Sequence, residues 1–267
     1  MSNNWNFDGL VQDVLVKSDN KSCCGDISFP DTHKLDNPSN PKSIISNDLL
    51  NEFEKYLQEL GIIEVAYVDG INDYFLHGLN FDFNSAIVIS YEISKSIHDE
   101  GAGDKAQEFN NELYERFGNI TYEISDYLRA CGFETMVAHP REETIDFSHL
   151  AQKAGMGTIG KSGLLISPQK GPNQKITAIL VNIENLPLLD CNKHEWISGY
   201  CNYCNSCIKA CPQNALLLKQ NKNVEFIVDL CIGCTKGCVE CIKACPFYKK
   251  GYEHVFKKYK KLKTKLS

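Results

Sequence analysis

Nine of the thirteen cysteines in this 267-residue chain fall between Cys201 and Cys245, and their spacing restricts the fold more than any other feature. The first run is Cys201-Asn-Tyr-Cys204-Asn-Ser-Cys207-Ile-Lys-Ala-Cys211-Pro212, a C-x2-C-x2-C-x3-C-P pattern. The second, Cys238-Val-Glu-Cys241-Ile-Lys-Ala-Cys245-Pro246, repeats its latter half down to the same Ile-Lys-Ala-Cys-Pro ending. This is an internal duplication. Three thiolates two residues apart wrap one inorganic cube, and a fourth cysteine, followed by a turning proline, reaches a neighbouring cube.

The first run is that of the bacterial double-cluster ferredoxins, so residues 191–248 are expected to form a module holding two [4Fe-4S] clusters. Exchange of the fourth ligands assigns Cys201, Cys204, Cys207 and Cys245 to one cluster and Cys211, Cys238 and Cys241 to the other. Either Cys231 or Cys234 completes the second set, and local spacing does not choose between them. A pair of zinc sites is the competing reading, because C-x2-C pairs also suit tetrahedral zinc. Zinc needs neither the doubled x3-Cys-Pro ending nor the exchange. Iron–sulfur chemistry is the stronger reading, and it makes the chain a one-electron carrier.

Composition narrows the setting. With 43% apolar residues the chain can build one sizeable core and a smaller module. The net charge of −6 excludes a polyanion binder in which the whole chain takes part. The most apolar windows, Ser85–Ser90 and Lys175–Val181, have strand length, far short of the roughly 20 residues that cross a bilayer. The opening residues show neither a basic-then-apolar leader nor a twin arginine. The expectation is a cytoplasmic protein with no membrane partner, in a compartment where clustered cysteines bind metal rather than form disulfides. Cys23 and Cys24 are adjacent, which disfavours a disulfide, and read as incidental thiols.

Ahead of the cysteines, residues 1–46 are rich in Asn, Ser, Asp and Pro and read as a loop-like extension. Asn47 is placed to cap an amphipathic helix carrying Leu49, Leu50, Phe53, Leu57 and Leu60, stopped by Gly61. Strands are expected at Ile62–Val68, Ser85–Tyr91, Phe133–Ala138, Leu164–Ser167 and Ile176–Ile183. Helices are expected at about Lys105–Ala130, interrupted near Gly118, and at Phe147–Ala154. The result is an α+β protein in which an α/β domain over 47–190 precedes the ferredoxin-type module and a lysine-rich tail over 249–267.

Gly155-Met-Gly157-Thr-Ile-Gly160-Lys161-Ser162 matches both G-x-G-x-x-G and G-x-x-x-x-G-K-[ST]. Those motifs hold phosphate only when the loop leaves a strand and enters a helix. Here the expected order is helix then strand, which argues against a nucleotide and against an iron–sulfur ATPase. Two readings stay open: a plain glycine-rich turn, or a bare backbone that lets a flat cofactor approach closely.

The segment Leu150-Ala-Gln-Lys-Ala-Gly-Met-Gly-Thr-Ile-Gly-Lys-Ser-Gly-Leu-Leu-Ile-Ser-Pro168 resembles the LAxxAGLGxxGKxxLLIxP segment of epoxyqueuosine reductases and reductive dehalogenases, which likewise precedes a double-cluster module. The resemblance covers about residues 45–248. It implies a nitroreductase-like, cobalamin-binding N-terminal domain fed by the clusters, with Gly155, Gly157, Gly160 and Lys161 in the corrinoid pocket. It favours Cys231, a solitary upstream cysteine, as the eighth ligand. It also implies a low-potential donor such as a ferredoxin or flavodoxin, and tRNA as a partner if the epoxyqueuosine reductases are the better guide. One departure matters: their D-[ST]-A-P aspartate, the proton donor, falls on Arg141, and Asp146 reaches that role only across a gap.

The function expected is an epoxyqueuosine-reductase-like oxidoreductase. The alternative is an electron-transfer protein that reduces a partner, such as a corrinoid protein, and has no substrate of its own. His139 and His149 flank the acidic stretch Glu142–Asp146 and are candidates for an acid or a ligand, against the ordinary role of structural histidines. Tyr200, Tyr203 and Phe247 are placed to shield the clusters from water. The lysine-rich tail is either a solvated helix packing through Val255, Tyr259 and Leu262, or a surface for RNA or an acidic redox partner.

Overall fold

A computed structural model describes residues 31–62 and 64–266. Cys23 and Cys24 lie outside the described residues. Helix α1 (Asn47–Glu59) leads to strand β1 (Val65–Asp69), β2 (Ser85–Glu92), the short α2 (Lys95–Glu100), the long α3 (Asp104–Ala130) and β3 (Thr135–Ala138). Then come α4 (Phe147–Lys153), the two-residue strands β4 (Thr158–Ile159) and β5 (Leu165–Ile166), and β6 (Gln174–Val181). The cysteine-rich part supplies α5 (Trp196–Cys204), α6 (Ser206–Ala210), the hairpin β7 (Leu216–Leu218) and β8 (Val224–Phe226), and α7 (Gly233–Lys236), α8 (Glu240–Ala244), α9 (Pro246–Lys250) and α10 (Tyr252–Leu266). The chain is a mixture of helix and sheet.

The sheet has the order β1-β2-β6-β3, antiparallel throughout. Its centre, β2 and β6, is buried on both faces, which is why both strands read as near-continuous apolar runs. Ile87, Ile89, Ile179 and Val181 meet α1 and α3 on one face; Ala86, Val88, Ala178 and Leu180 meet α4 on the other. The small alanines let α4 approach closely. Phe53 and Leu57 of α1, both 1% exposed, each contribute about 1.5–3 kcal/mol by leaving water.

Two expectations are corrected. Ser46, not Asn47, caps α1: its hydroxyl accepts from the Leu49 N–H, and Asn47 opens the first turn. Helix α3 also runs without a break through Gly118, which is buried on its packed side. A glycine costs about 1 kcal/mol inside a helix, and the apolar face of a 27-residue helix outweighs that. The described part of the N-terminal stretch, residues 31–46, is irregular. It is nevertheless fastened to the body: Asn37 pairs with Thr135 in both directions, and His33 Nε2 lies 2.8 Å from Ser125 Oγ.

Two apolar cores join the cysteine-rich part to this body, among other contacts. Val239 and Ile242 enter the core shared by α1, α3 and the sheet. Ile166, Ile197, Tyr200, Phe247, Val255 and Tyr259 form a separate core beneath α10. Gly237 permits the first contact: at φ +61, a side chain there would lie 2.5 Å from the backbone of Ala106 in α3. Its N–H donates to Gln107 Oε1, 2.8 Å away.

Candidate functional site

Cys201, Cys204, Cys207 and Cys245 line one recess, walled by Tyr200, Phe247, Ile166, Lys161 and Asn205. The sequence places three of these thiols together through a local device. Helix α5 stops at Cys204, Asn205 takes a left-handed φ of 51°, and α6 restarts at Ser206, so the chain curls around the recess. Cys245 arrives from the far repeat, where α8 ends and Pro246 opens α9. Backbone N–H groups point at the sulfurs: Lys161 donates to Cys201, Ile208 to Cys207, and Phe247 and Tyr248 to Cys245. Burial pushes the Cys201 thiol up to about 12 and Cys245 up to about 11. Such thiols give up their protons when iron replaces them.

The remaining cysteines gather beside α3. Burial, then the neighbouring Cys231, Cys238 and Cys207, push the Cys241 thiol up to about 12. Burial also raises Cys231, which feels Cys234, Cys238 and Cys211, and whose sulfur accepts the Gly233 N–H. The Ala215 N–H donates to Cys211 Sγ at 3.2 Å. Cys231 thus interacts with Cys234, Cys238, Cys211 and Cys241, and the Cys207–Cys241 interaction links the two sets. Among the described residues, no three His, Cys, Asp or Glu side chains converge on a point that one metal ion would fill. The first four thiols line one shared recess.

The glycine loop follows α4 and enters β4, the order expected for something other than a phosphate loop. Its glycines are explained by the chain's own atoms. A side chain at Gly157 would sit 2.2 Å from the Ile166 carbonyl oxygen; at Gly160, 2.6 Å from the Ile166 side chain and 3.7 Å from Cys201 Sγ; at Gly155, 2.7 Å from Leu189. These three positions therefore leave no cradle for a corrinoid on the side where a side chain would stand. Lys161 lies over the first cysteine set, its ammonium donating to Asn205 Oδ1 at 2.9 Å.

The histidines and Asp146 have structural duties. His139 is fully buried, with Nε2 3.2 Å from the Tyr114 carbonyl and Nδ1 accepting the Arg141 N–H at 3.3 Å. Burial, partly offset by the bond to Tyr114, lowers its pKa to about 4, so it is neutral at physiological pH. Asp146 caps α4 and holds His149 Nδ1 at 2.6 Å. Burial pushes this carboxyl up, yet the bonds from His149 prevail and keep it below its ordinary value. An aspartate held ionised in this way is a poor proton donor.

Sequence reasoning missed two polar groups, because their members are far apart in the chain. Lys175 Nζ donates to Tyr114 Oη at 2.7 Å, and Arg141 stands 5.7 Å from the same ring centroid. Elsewhere Lys170, only 9% exposed, reaches Glu64 at 3.3 Å and Ser90 at 3.2 Å. It borders a cleft of about 470 Å³ also lined by Tyr91, Glu92, Lys95 and Arg116. A lysine near the start of an otherwise apolar strand, as Lys175 is in β6, was the available signal.

Residues 194–217 match the family model of the 4Fe-4S binding domain. Over 118 residues the chain is 27% identical to a tetrachloroethene reductive dehalogenase of Desulfitobacterium hafniense, covering 42% of this chain and 19% of that protein. It is 30% identical over 114 residues to an epoxyqueuosine reductase of Francisella cf. novicida, covering 37% and 31%. The fold is similar to that of the catabolic reductive dehalogenase NpRdhA, with a TM-score of 0.65 at 15% identity over 84% of this chain and 35% of the other. Over these stretches the chain is similar to both the epoxyqueuosine reductases and the reductive dehalogenases. An epoxyqueuosine reductase solved with a tRNA-Tyr stem loop also shares the fold, with a TM-score of 0.53 at 15% identity over 78% of this chain and 67% of that one. The matched stretches span about a fifth to a third of the curated relatives. Among the described residues no helix is long and apolar enough to cross a membrane.

Proposed function

We propose that this chain is an iron–sulfur oxidoreductase that passes electrons through two [4Fe-4S] clusters to a site in its N-terminal α/β domain. One observation carries the reading. Cys245, from the second repeat, lines the same recess as Cys201, Cys204 and Cys207, which is the exchanged fourth ligand of a double-cluster module. Cys211, Cys238 and Cys241 are the ligands we assign to the second cluster, with Cys231 as the fourth. The cubes supply one-electron chemistry; the chain supplies N–H donors to the sulfurs and an apolar wall that excludes water, both of which tune potential.

Each cysteine set touches the N-terminal domain, the first through Lys161 and Gly160, the second through Gly237 and α3. We name a corrinoid as the acceptor to test first, because a structural relative is described as supporting B12-dependent dehalogenation. The closure of Gly155, Gly157 and Gly160 by the chain's own atoms favours the second reading, an electron carrier that reduces a separate partner.

Anaerobic reconstitution tests the first claim: about eight irons per chain for the wild type, and about four for Cys201→Ser. Two irons or fewer in the wild type would sink it. Titration with cobalamin then separates the two readings. A base-off spectral shift supports a corrinoid reductase, and no response with eight irons present leaves the electron carrier.

A further inference from the structure

Charge is divided unevenly along this chain. The last 22 residues hold eight of its 28 Lys and Arg and one of its 34 Asp and Glu, so they carry +7 while the preceding 245 carry −13. Helix α10 displays most of that positive charge. Lys257, Lys258, Lys260, Lys261 and Lys263 are exposed, and none of them, nor Lys249 or Lys250, makes an ion pair among the described residues. Lys257–Lys261, Lys257–Lys260, Lys258–Lys261 and Lys260–Lys263 are like-charged neighbours at i,i+4 and i,i+3, a pattern that weakens a helix. A helix kept only for solubility would alternate its charges.

The helix is fixed in place. Val255 and Tyr259 are buried with Ile197, Tyr200 and Phe247, and Trp196, Cys201, Cys204 and Cys245 pack against the same group. Gly199 exists for this contact: a side chain there would lie 2.3 Å from Tyr259 Oη. Lys258 Nζ stands 6.0 Å from the centroid of the Tyr200 ring, and Tyr200 borders the recess of the first cysteine set. One aromatic side chain thus separates the cationic surface from the thiols that would hold iron.

We propose that α10 is the docking surface for an acidic, low-potential one-electron carrier protein, which delivers its electron to the first cluster. The inference rests on the clusters proposed above. In the step, the reduced carrier loses one electron and the oxidised cluster gains it; no bond forms or breaks. Opposite charge guides such encounters and raises the association rate, and salt screens it. Redox pairs of this kind use small contact areas and must separate after each transfer, which suits lysines on flexible stems better than an apolar patch. RNA would use the same charge, but it has no need of a helix fastened to the cluster wall.

The test is stopped-flow reduction of the reconstituted full chain by a reduced acidic flavodoxin, at increasing ionic strength, beside reduction by dithionite. In Lys257→Glu/Lys258→Glu/Lys261→Glu the second-order rate with flavodoxin should fall at least tenfold at low salt and lose its inverse dependence on salt. Iron content and dithionite reduction should not change. A matching Lys→Arg triple should behave as wild type. An unchanged flavodoxin rate and salt dependence in the Glu variant overturns the proposal. So does a variant that loses only its affinity for an RNA stem loop. A wild-type chain that dithionite does not bleach fails at the cluster reading instead, which keeps the two failures apart.

Discussion

The two cysteine sets are built from the same repeat and are enclosed by different things. The first sits under α10 in an aromatic core of its own, with the glycine loop as its inner wall. The second has no such cover. Ile242 of its α8, and Val239 just before that helix, are buried in the core of the sheet domain, against α3. One set is shielded by a helix that follows it in sequence, the other by a domain that precedes it. Damage to the sheet domain should therefore reach the second set first, and damage to the loop or α10 should reach the first.

The largest expected effect tests which of Cys231 and Cys234 completes the second set. Cys231→Ser should remove about half of the reconstituted iron, whereas Cys234→Ser should keep all of it. Iron and sulfide analysis with EPR distinguishes these outcomes. Equal losses would mean that both thiols serve the second set.

Next comes the glycine loop. A methyl at Gly157 would meet the Ile166 carbonyl oxygen at 2.2 Å, and backbone cannot swing aside as a side chain can. Gly157→Ala should cost about 3 kcal/mol by overpacking and disturb the first set selectively. Gly237→Ala is its counterpart at the second set. The left-handed φ of 61° costs about 1–2 kcal/mol and the 2.5 Å approach to Ala106 adds to it. Its thermal midpoint should drop, with iron lost from the second set before the first. Loss from both sets at once in either variant would show that the module behaves as one unit.

The same contrast explains what could be read in advance. The first set is encoded locally: three of the thiols assigned to it lie within Cys201–Cys207, and the repeat points to the fourth. Strand and helix positions were legible wherever burial marks the sequence, as apolar runs in β2 and β6 and as a helical period in α3. The closing groups were not. Ile166 closing on Gly157, Tyr259 on Gly199 and Lys175 on Tyr114 join residues through tertiary packing, and a single sequence carries no mark of such pairings. The glycines were visible as glycines; what they make room for was not. Even the interruption expected at Gly118 failed for this reason, since propensity is local and the packing of α3 is not.

The smallest effect lies outside both sets and controls for them. Asp146 and His149 are partly exposed, and their 2.6 Å bond anchors the first turn of α4 ahead of the glycine loop. The bond from Asp146, only partly opposed by burial, raises the His149 pKa above 6.5, while that of Asp146 is held below 3.8. The raised histidine contributes its full stability below about pH 6.5 and loses it as pH rises through the folded value. The lowered carboxylate contributes fully above about pH 3.8 and fades as pH falls through its folded value. The pair is thus strongest between those limits, where screening leaves it worth about 1 kcal/mol. His149→Gln should lower the thermal midpoint more at pH 5.5 than at pH 8.5, with iron content unchanged at both. An equal drop at the two pH values would mean that the ring acts by packing alone; a loss of iron would mean that α4 positions the loop against the first set, and the division between the two enclosures would then extend into the sheet domain.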